Sequence, residues 1–112
     1  YLPFDYIPDT RQRIILYRKL AQLSNEDELT QLKAEIRDRF GPMPKPVERL
    51  LRVAELKLLA APKNVTSIET RDDKIMFTRN GSLITLGGKY PRLAKRTPDG
   101  RLGELKRLLR AL

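Results

Sequence analysis

Two carboxylates, Glu35 and Asp38, lie three residues apart in the stretch EIRDRFGP, just before the glycine and proline that end a predicted helix. At about 100° per residue, Glu28 and Gln31 fall on the same side of that helix, beside its apolar stripe. Such an acidic strip could be an acid/base or metal site, a contact surface for a basic partner, or a solvated face. An exposed helix face desolvates carboxylates little and supplies few metal ligands, so the last two alternatives stay open.

Basic side chains concentrate in the second half of the chain, which has a net charge of +7 over residues 61–112 against +2 over residues 1–60. Clustered lysine and arginine bind nucleic-acid phosphates by releasing counterions. Binding to single strands also uses aromatic rings, whereas Tyr90 is the only aromatic residue between positions 89 and 112. A basic nucleic-acid-binding module is therefore the alternative function, beside a surface that only keeps the domain in solution. The candidate patch consists of Lys89, Arg92, Lys95 and Arg96.

The stretch GGKY at 87–90 is similar to the end of a phosphate-binding loop, but its spacing and identity do not match. The position of the earlier glycine holds Leu83, and Tyr90 follows Lys89 where a Ser or Thr would bind Mg²⁺. The pattern predicts instead a strand exit at which the glycines let the backbone turn.

The composition excludes several kinds of catalytic site. The chain has no cysteine and no histidine, so disulfide frameworks, the usual zinc sites and Cys- or His-based nucleophilic triads are ruled out. We therefore expect no cofactor, no metal site and no catalytic residue in this chain.

Length and hydropathy predict one folded domain over residues 1–112, with 40% hydrophobic and 33% charged residues and a net charge of +9. No apolar run approaches the roughly 20 residues that span a bilayer, and there is no signal-peptide pattern, so we expect a cytoplasmic location and no membrane partner. Because the chain begins at Tyr1 without an initiator Met, we expect it to be a piece of a longer protein.

Prolines and glycines divide the chain into a helical half and a strand-rich half. A first helix is predicted to begin after Asp9 or Thr10 and to run to about residue 23. A second is predicted to begin after Ser24 or Asn25 and to stop at glycine 41. A third is predicted to open at Pro46 and to end at proline 62.

From residue 65 the hydrophobic period changes from helical spacing to two. The stretch KIMFTRNGSLITL predicts a hairpin with a type I′ turn at Asn80-Gly81, which places Phe77 opposite Ile84 and Ile75 opposite Leu86. Residues 65–70 form a further predicted strand, residues 89–101 an irregular basic stretch, and residues 102–112 a last helix. The predicted fold class is α+β: an N-terminal three-helix segment packed on a small antiparallel sheet, the hairpin around Asn80-Gly81, with a C-terminal helix.

The order of these segments resembles the carboxy-terminal domain of bacterial transcription-repair coupling factors over nearly the whole chain. The most specific elements are YIPD at 6–9 and DRFGPMP at 38–44, followed by FTRNGSLITLGGKYPRL and a leucine-rich final helix. The resemblance implies a non-catalytic regulatory domain of an ATP-dependent DNA translocase that removes stalled RNA polymerase and recruits excision-repair proteins.

The resemblance implies that this domain docks on the amino-terminal UvrB-like module of the same chain, as it does in that family. Docking covers the surface that UvrA must reach, so the domain holds the protein in an autoinhibited form. Acidic residues just before RFG take part in the contact, and they correspond here to Glu35 and Asp38, which would meet arginines of the module. The predicted docking surface consists of Glu28, Gln31, Glu35 and Asp38.

Overall fold

Four α-helices and one three-stranded antiparallel sheet form in the computed structural model, which describes residues 2–3, 5–85 and 87–112. The predicted α+β class is confirmed. The chain divides into two compact units, Tyr1–Leu58 and Leu59–Leu112, of which the first is helical and the second holds the sheet.

The first two helices begin at the side-chain caps that the sequence indicates. Helix α1 spans Thr10–Ala21, and the Asp9 carboxylate caps it by accepting from the N–H groups of Arg11 and Gln12. It ends two residues before the predicted boundary. Helix α2 spans Glu26–Phe40, with Asn25 as its cap.

A glycine and two prolines separate α2 from the third helix. Gly41 has a φ of 84°, a conformation that glycine adopts without steric cost, and its N–H closes the last turn on the carbonyl of Arg37 at 2.9 Å. Helix α3 spans Lys45–Ala60. A short 3₁₀ turn, Ala61–Lys63, follows and contains the predicted breaker proline.

The two most specific sequence elements, YIPD and DRFGPMP, meet in the first unit. The Tyr6 hydroxyl donates to the Gly41 carbonyl at 2.7 Å, and the rings of Tyr6 and Phe40 lie 6.0 Å apart between centroids. Ile7, beside Tyr6, is fully buried. The N-terminal segment is therefore tied to the end of α2. The buried core of this unit is Leu2, Ile7, Leu16, Leu29, Leu32, Ile36, Val47 and Leu51.

The sheet of the second unit consists of β1 (Val65–Arg71), β2 (Lys74–Arg79) and β3 (Ser82–Leu83), in that order. Asn80 and Gly81 both have positive φ, at 51° and 79°, so the predicted hairpin turn is confirmed. The Ile84 N–H donates to the Phe77 carbonyl at 2.9 Å, as the predicted register requires. The predicted pairing of Ile75 with Leu86 lies outside the described residues.

The chain after the hairpin returns to the sheet and runs beside the start of β2, where the sequence predicted an irregular stretch. The Ile75 N–H donates to the Pro91 carbonyl at 2.8 Å, and the Leu93 N–H donates to the Asp73 carbonyl at 2.7 Å. Arg92 thereby forms an isolated antiparallel bridge with Lys74. Pro91 and Leu93 are buried, which explains why this segment is held against the sheet.

Helix α4 spans Pro98–Ala111, so the predicted start at residue 102 is four residues late. The Thr97 side chain caps the helix by accepting from the Gly100 N–H at 3.1 Å, and a proline occupies the first turn, where its missing N–H has no cost. The glycines of PDGRLG lower helix propensity, which concealed this start. Leu105 and Leu109 of this leucine-rich helix are buried.

The two glycines of α4 should respond oppositely to the same substitution. A methyl group at Gly100 would lie 2.8 Å from Thr97 Oγ1 and 2.9 Å from Lys95 Cβ, whereas at Gly103 nothing lies within 4 Å. Gly100→Ala should therefore cost about 1 kcal/mol through the damaged cap. Gly103→Ala should stabilise by roughly 0.5–1 kcal/mol, because alanine loses less entropy in a helix. Urea unfolding measures both, and shifts of equal sign would contradict this account of the cap.

Candidate docking surface on the second helix

The predicted acidic strip lies along one side of α2, next to the face that the helix buries. Leu29, Leu32 and Ile36 are buried and set the rotation of the helix. Gln31 and Asp38 are exposed, and Asp38 forms no ion pair with the described residues. The strip is a continuous surface, but its members differ in their local roles.

Glu35 is paired with a lysine of α1. Its Oε1 lies 2.7 Å from Lys19 Nζ and 3.8 Å from Arg39 Nη1, and its side chain keeps 35% of its exposure. The hydrogen bond from Lys19 is the main cause that lowers the pKa of the Glu35 carboxyl. No local sequence signal indicated Lys19, because that residue is sixteen positions away and belongs to another helix.

Glu28 closes the N-terminal cap of α2. Its N–H donates to Asn25 Oδ1 at 2.8 Å, and its carboxylate accepts from Asn25 Nδ2 at 3.0 Å and from the Ser24 hydroxyl. Asn25 is thus the N-cap residue, and the Glu28 carboxylate holds its side-chain amide in place. Glu28 therefore stabilises the helix that carries the strip, whatever it contacts beyond the chain.

An open groove of about 230 Å³ runs where α1 faces α2. Leu23 and Leu32 supply apolar surface, and Lys19, Gln31 and Glu35 supply polar groups to its lining. Such a groove combines apolar side chains with carboxylates that accept hydrogen bonds. This combination suits a long basic side chain, which has an aliphatic stem and a charged end.

The described residues include no group of three or more His, Cys, Asp or Glu side chains that could hold a metal ion. Among the same residues, no helix is long and apolar enough to cross a membrane.

The predicted basic patch is divided between two parts of the second unit. Lys89 and Arg92 line an open cleft of about 360 Å³ together with Lys74 and Tyr90, of which Lys74 was not predicted. Lys95 and Arg96 belong to the segment that enters α4. The cleft forms because residues 91–93 return to β2, a long-range contact without a local sequence signal.

One buried carboxylate organises the segment between the sheet and α4. Glu104 of α4 accepts hydrogen bonds from the backbone N–H groups of Ala94, at 2.9 Å, and of Lys95. These two bonds lower the pKa of the Glu104 carboxyl, with smaller contributions from Arg107 and Lys95. Glu104 is therefore a structural residue that fixes the backbone at residues 94 and 95, between the basic residues Arg92 and Arg96.

The geometry defines the class of the chain: an α+β domain whose second helix carries an acidic strip. Comparison with known proteins supplies the family. A family model described as the TRCF domain matches residues 1–83, and the chain belongs to that family.

The relatives of the chain are transcription-repair-coupling factors. The protein of Rickettsia typhi is 31% identical over 115 residues, covering 97% of this chain and 10% of the relative. The protein of Haemophilus influenzae is 41% identical over 68 residues, covering 61% of this chain and 6% of the relative. The chain therefore spans about a tenth of the length of the curated relatives that match nearly all of its residues.

A crystal structure of the C-terminal domain of transcription-repair coupling factor is also similar. It superposes with a TM-score of 0.68 at 35% sequence identity, covering 71% of this chain and 50% of that one. The predicted resemblance is thus confirmed in sequence and in fold.

Acid should remove the contribution of Glu104 to stability. Because its folded-state pKa is below the unfolded value of about 4.3, the contribution is fully present above that pH and is lost as pH falls through the folded pKa. Glu104→Gln should lower the melting temperature at pH 7, and the difference from the wild type should shrink below about pH 4. Glu69→Gln, at an exposed carboxylate of β1, is the control. A difference that stays constant with pH would exclude this role of the charge.

Proposed function

We propose that this chain is a non-catalytic, autoinhibitory interaction domain of a longer transcription-coupled repair protein. It docks on the UvrB-like amino-terminal module of the same protein and masks the surface that UvrA must reach. The longer protein is an ATP-dependent DNA translocase that acts on stalled RNA polymerase. The observation that supports this proposal best is the acidic strip itself, two carboxylates held in register on a helix within a chain of net charge +9.

The strip is suited to arginine side chains. A carboxylate can accept two parallel hydrogen bonds from one guanidinium group, which fixes orientation as well as adding energy. Asp38 is exposed and available for such a bond, and Glu35 lies one helical turn away, so two neighbouring arginines could be bound side by side. Electrostatic contacts of this kind provide specificity more than affinity.

Lys19 moderates the strength of docking. Its ammonium group occupies Glu35 Oε1 at 2.7 Å, so an incoming arginine must share or displace it. The other carboxylate oxygen of Glu35 has room for a second donor, because one carboxylate offers about four lone-pair sites. A partly satisfied carboxylate favours a reversible contact, in which a coupling of about 1–3 kcal/mol shifts the affinity for a competing partner by roughly 5- to 150-fold.

Reversing the charge of both acids should abolish docking. Calorimetric titration of this chain against the separately expressed UvrB-like module should give measurable binding for the wild type and none for Glu35→Arg with Asp38→Arg. Asp38→Arg alone should weaken binding at least about tenfold, since like charges then face each other. Glu69→Arg makes the same charge change at an exposed site of β1 and is the matched control. Equal binding by the double variant and the control would reject the strip as the docking surface.

Removing the competing lysine should tighten docking. Lys19→Met keeps most of the aliphatic stem but frees Glu35, and the exposed ion pair that is lost contributes up to about 1 kcal/mol. The dissociation constant should therefore fall roughly two- to fivefold. Lys33→Met removes the same charge from the other flank of α2 and should leave the constant nearly unchanged. Weaker docking by Lys19→Met would mean that the lysine orients Glu35 for its partner.

A further inference from the structure

Three cationic side chains form a row across the second unit's sheet. Arg71 of β1 is directly opposite Lys74 of β2, and Lys74 is directly opposite Arg92 of the returning segment. Directly opposed residues of antiparallel strands project from the same face, with Cα atoms about 4.5–5.5 Å apart. The opposite face at this position carries Ile75, which is fully buried. The row therefore lies on the exposed face.

On its own, this row of like charges destabilises the folded sheet. Like charges directly opposite each other destabilise a sheet, and here two such pairs share one lysine. The carboxylate that partly offsets the row is Asp73, whose oxygens lie 2.9 and 3.0 Å from Arg92 Nη1. Glu69 is exposed on the same face of β1. Asp72 lies in the adjoining turn, so three carboxylates neighbour the row; with Lys89 of the same cleft the cations number four and exceed them by one charge, which leaves a positive excess for an anionic ligand.

The backbone beneath the row is held in place. Hydrogen bonds join residues 91 and 93 to β2, and the buried side chains of Pro91 and Leu93 alternate with the exposed Tyr90 and Arg92. A guanidinium N–H of Arg101 also donates to the Asp72 carbonyl at 2.6 Å, next to the turn between β1 and β2. The cations are thus carried by backbone that hydrogen bonds hold in place.

An aromatic ring joins the cations. Tyr90 keeps 38% of its exposure and lines the open cleft of about 360 Å³ with Lys74, Lys89 and Arg92. Cations that follow a phosphate backbone, beside a ring on which a base can stack, are the combination that single-strand-binding proteins use. An acidic peptide would use the cations but would gain nothing specific from the ring.

We propose that the exposed face formed by Arg71, Lys74, Lys89, Tyr90 and Arg92 binds single-stranded nucleic acid, with phosphates on the cation row and a base against Tyr90. This site is separate from the acidic strip in residues and in the sign of its charge. It does not depend on the docking proposal, because it uses other residues and another ligand.

The test is a fluorescence anisotropy titration of the 112-residue chain with a labelled oligothymidylate of about 12 nucleotides, a length within the usual range for one binding domain. Binding is measured from about 50 to 200 mM salt. Three or four phosphate contacts predict a slope of log K against log salt of about −2 to −3. Absence of binding at the lowest salt would overturn the proposal.

Two variants separate a built site from diffuse attraction. Lys74→Gln with Lys89→Gln should reduce the slope by about 1 to 1.5, since each lost contact removes roughly 0.7. Tyr90→Ala should weaken binding roughly 5- to 150-fold with the slope unchanged, because it removes stacking and no charge. Lys95→Gln with Arg96→Gln removes the same charge elsewhere and should have little effect. Equal losses from the two double variants would overturn the proposal.

A competition experiment tests the choice of ligand. Unlabelled oligothymidylate should displace the probe, whereas oligoglutamate of equal charge should displace it only at much higher concentration. If oligoglutamate competes equally and Tyr90→Ala binds like the wild type, the face recognises acidic chains in general, and the assignment to nucleic acid is wrong. Circular dichroism on each variant establishes that it is folded.

Discussion

The rotation of α2 about its own axis is the constraint on which the acidic surface depends. Leu29, Leu32 and Ile36 are buried along one stripe, so the residues beside them must face outward together. The Asn25 cap fixes where the helix begins, and Gly41 fixes where it ends. A shift of one residue in this helix would turn the strip by about 100°. The tie from Tyr6 to the Gly41 carbonyl then holds the N-terminal segment at the end of the same helix.

The chain uses carboxylates of the same chemical type in three different ways. The Glu28 carboxylate accepts from the side chains of Ser24 and Asn25 at the start of α2, the buried Glu104 carboxylate accepts from two backbone N–H groups, and Glu35 pairs with a lysine in an open groove. A carboxylate near free N–H groups is occupied by the fold, whereas one on the side of a helix is available to a partner. Spacing along the sequence alone does not separate these uses.

Features that depend on a few adjacent residues could be predicted from the sequence. Asn80-Gly81 indicates the hairpin turn, and Gly41 indicates the end of α2. The 3.6-residue hydrophobic period of α2 indicates which side of that helix is exposed. Features that depend on distant residues could not. Lys19 reaches Glu35 from another helix, and Arg92 reaches Lys74 only because the chain turns back to the sheet. The start of α4 was misplaced for a third reason, since its glycines weaken the helical signal while Thr97 and Pro98 supply the cap.

The return of residues 91–93 to β2 also bears on how the sheet avoids association with other copies of itself. The central strand has β1 along one edge, while its other edge is shared between β3 near Arg79 and the returning segment near Lys74. An unpaired strand edge is a template for intermolecular sheet growth. One outer edge of the sheet is β1, which carries Glu69 and Arg71 and has an irregular register between Val65 and Ser67, and the other includes β3, which has only two residues. Charges, register breaks and very short edge strands of this kind disfavour the growth of intermolecular sheets and fibrils.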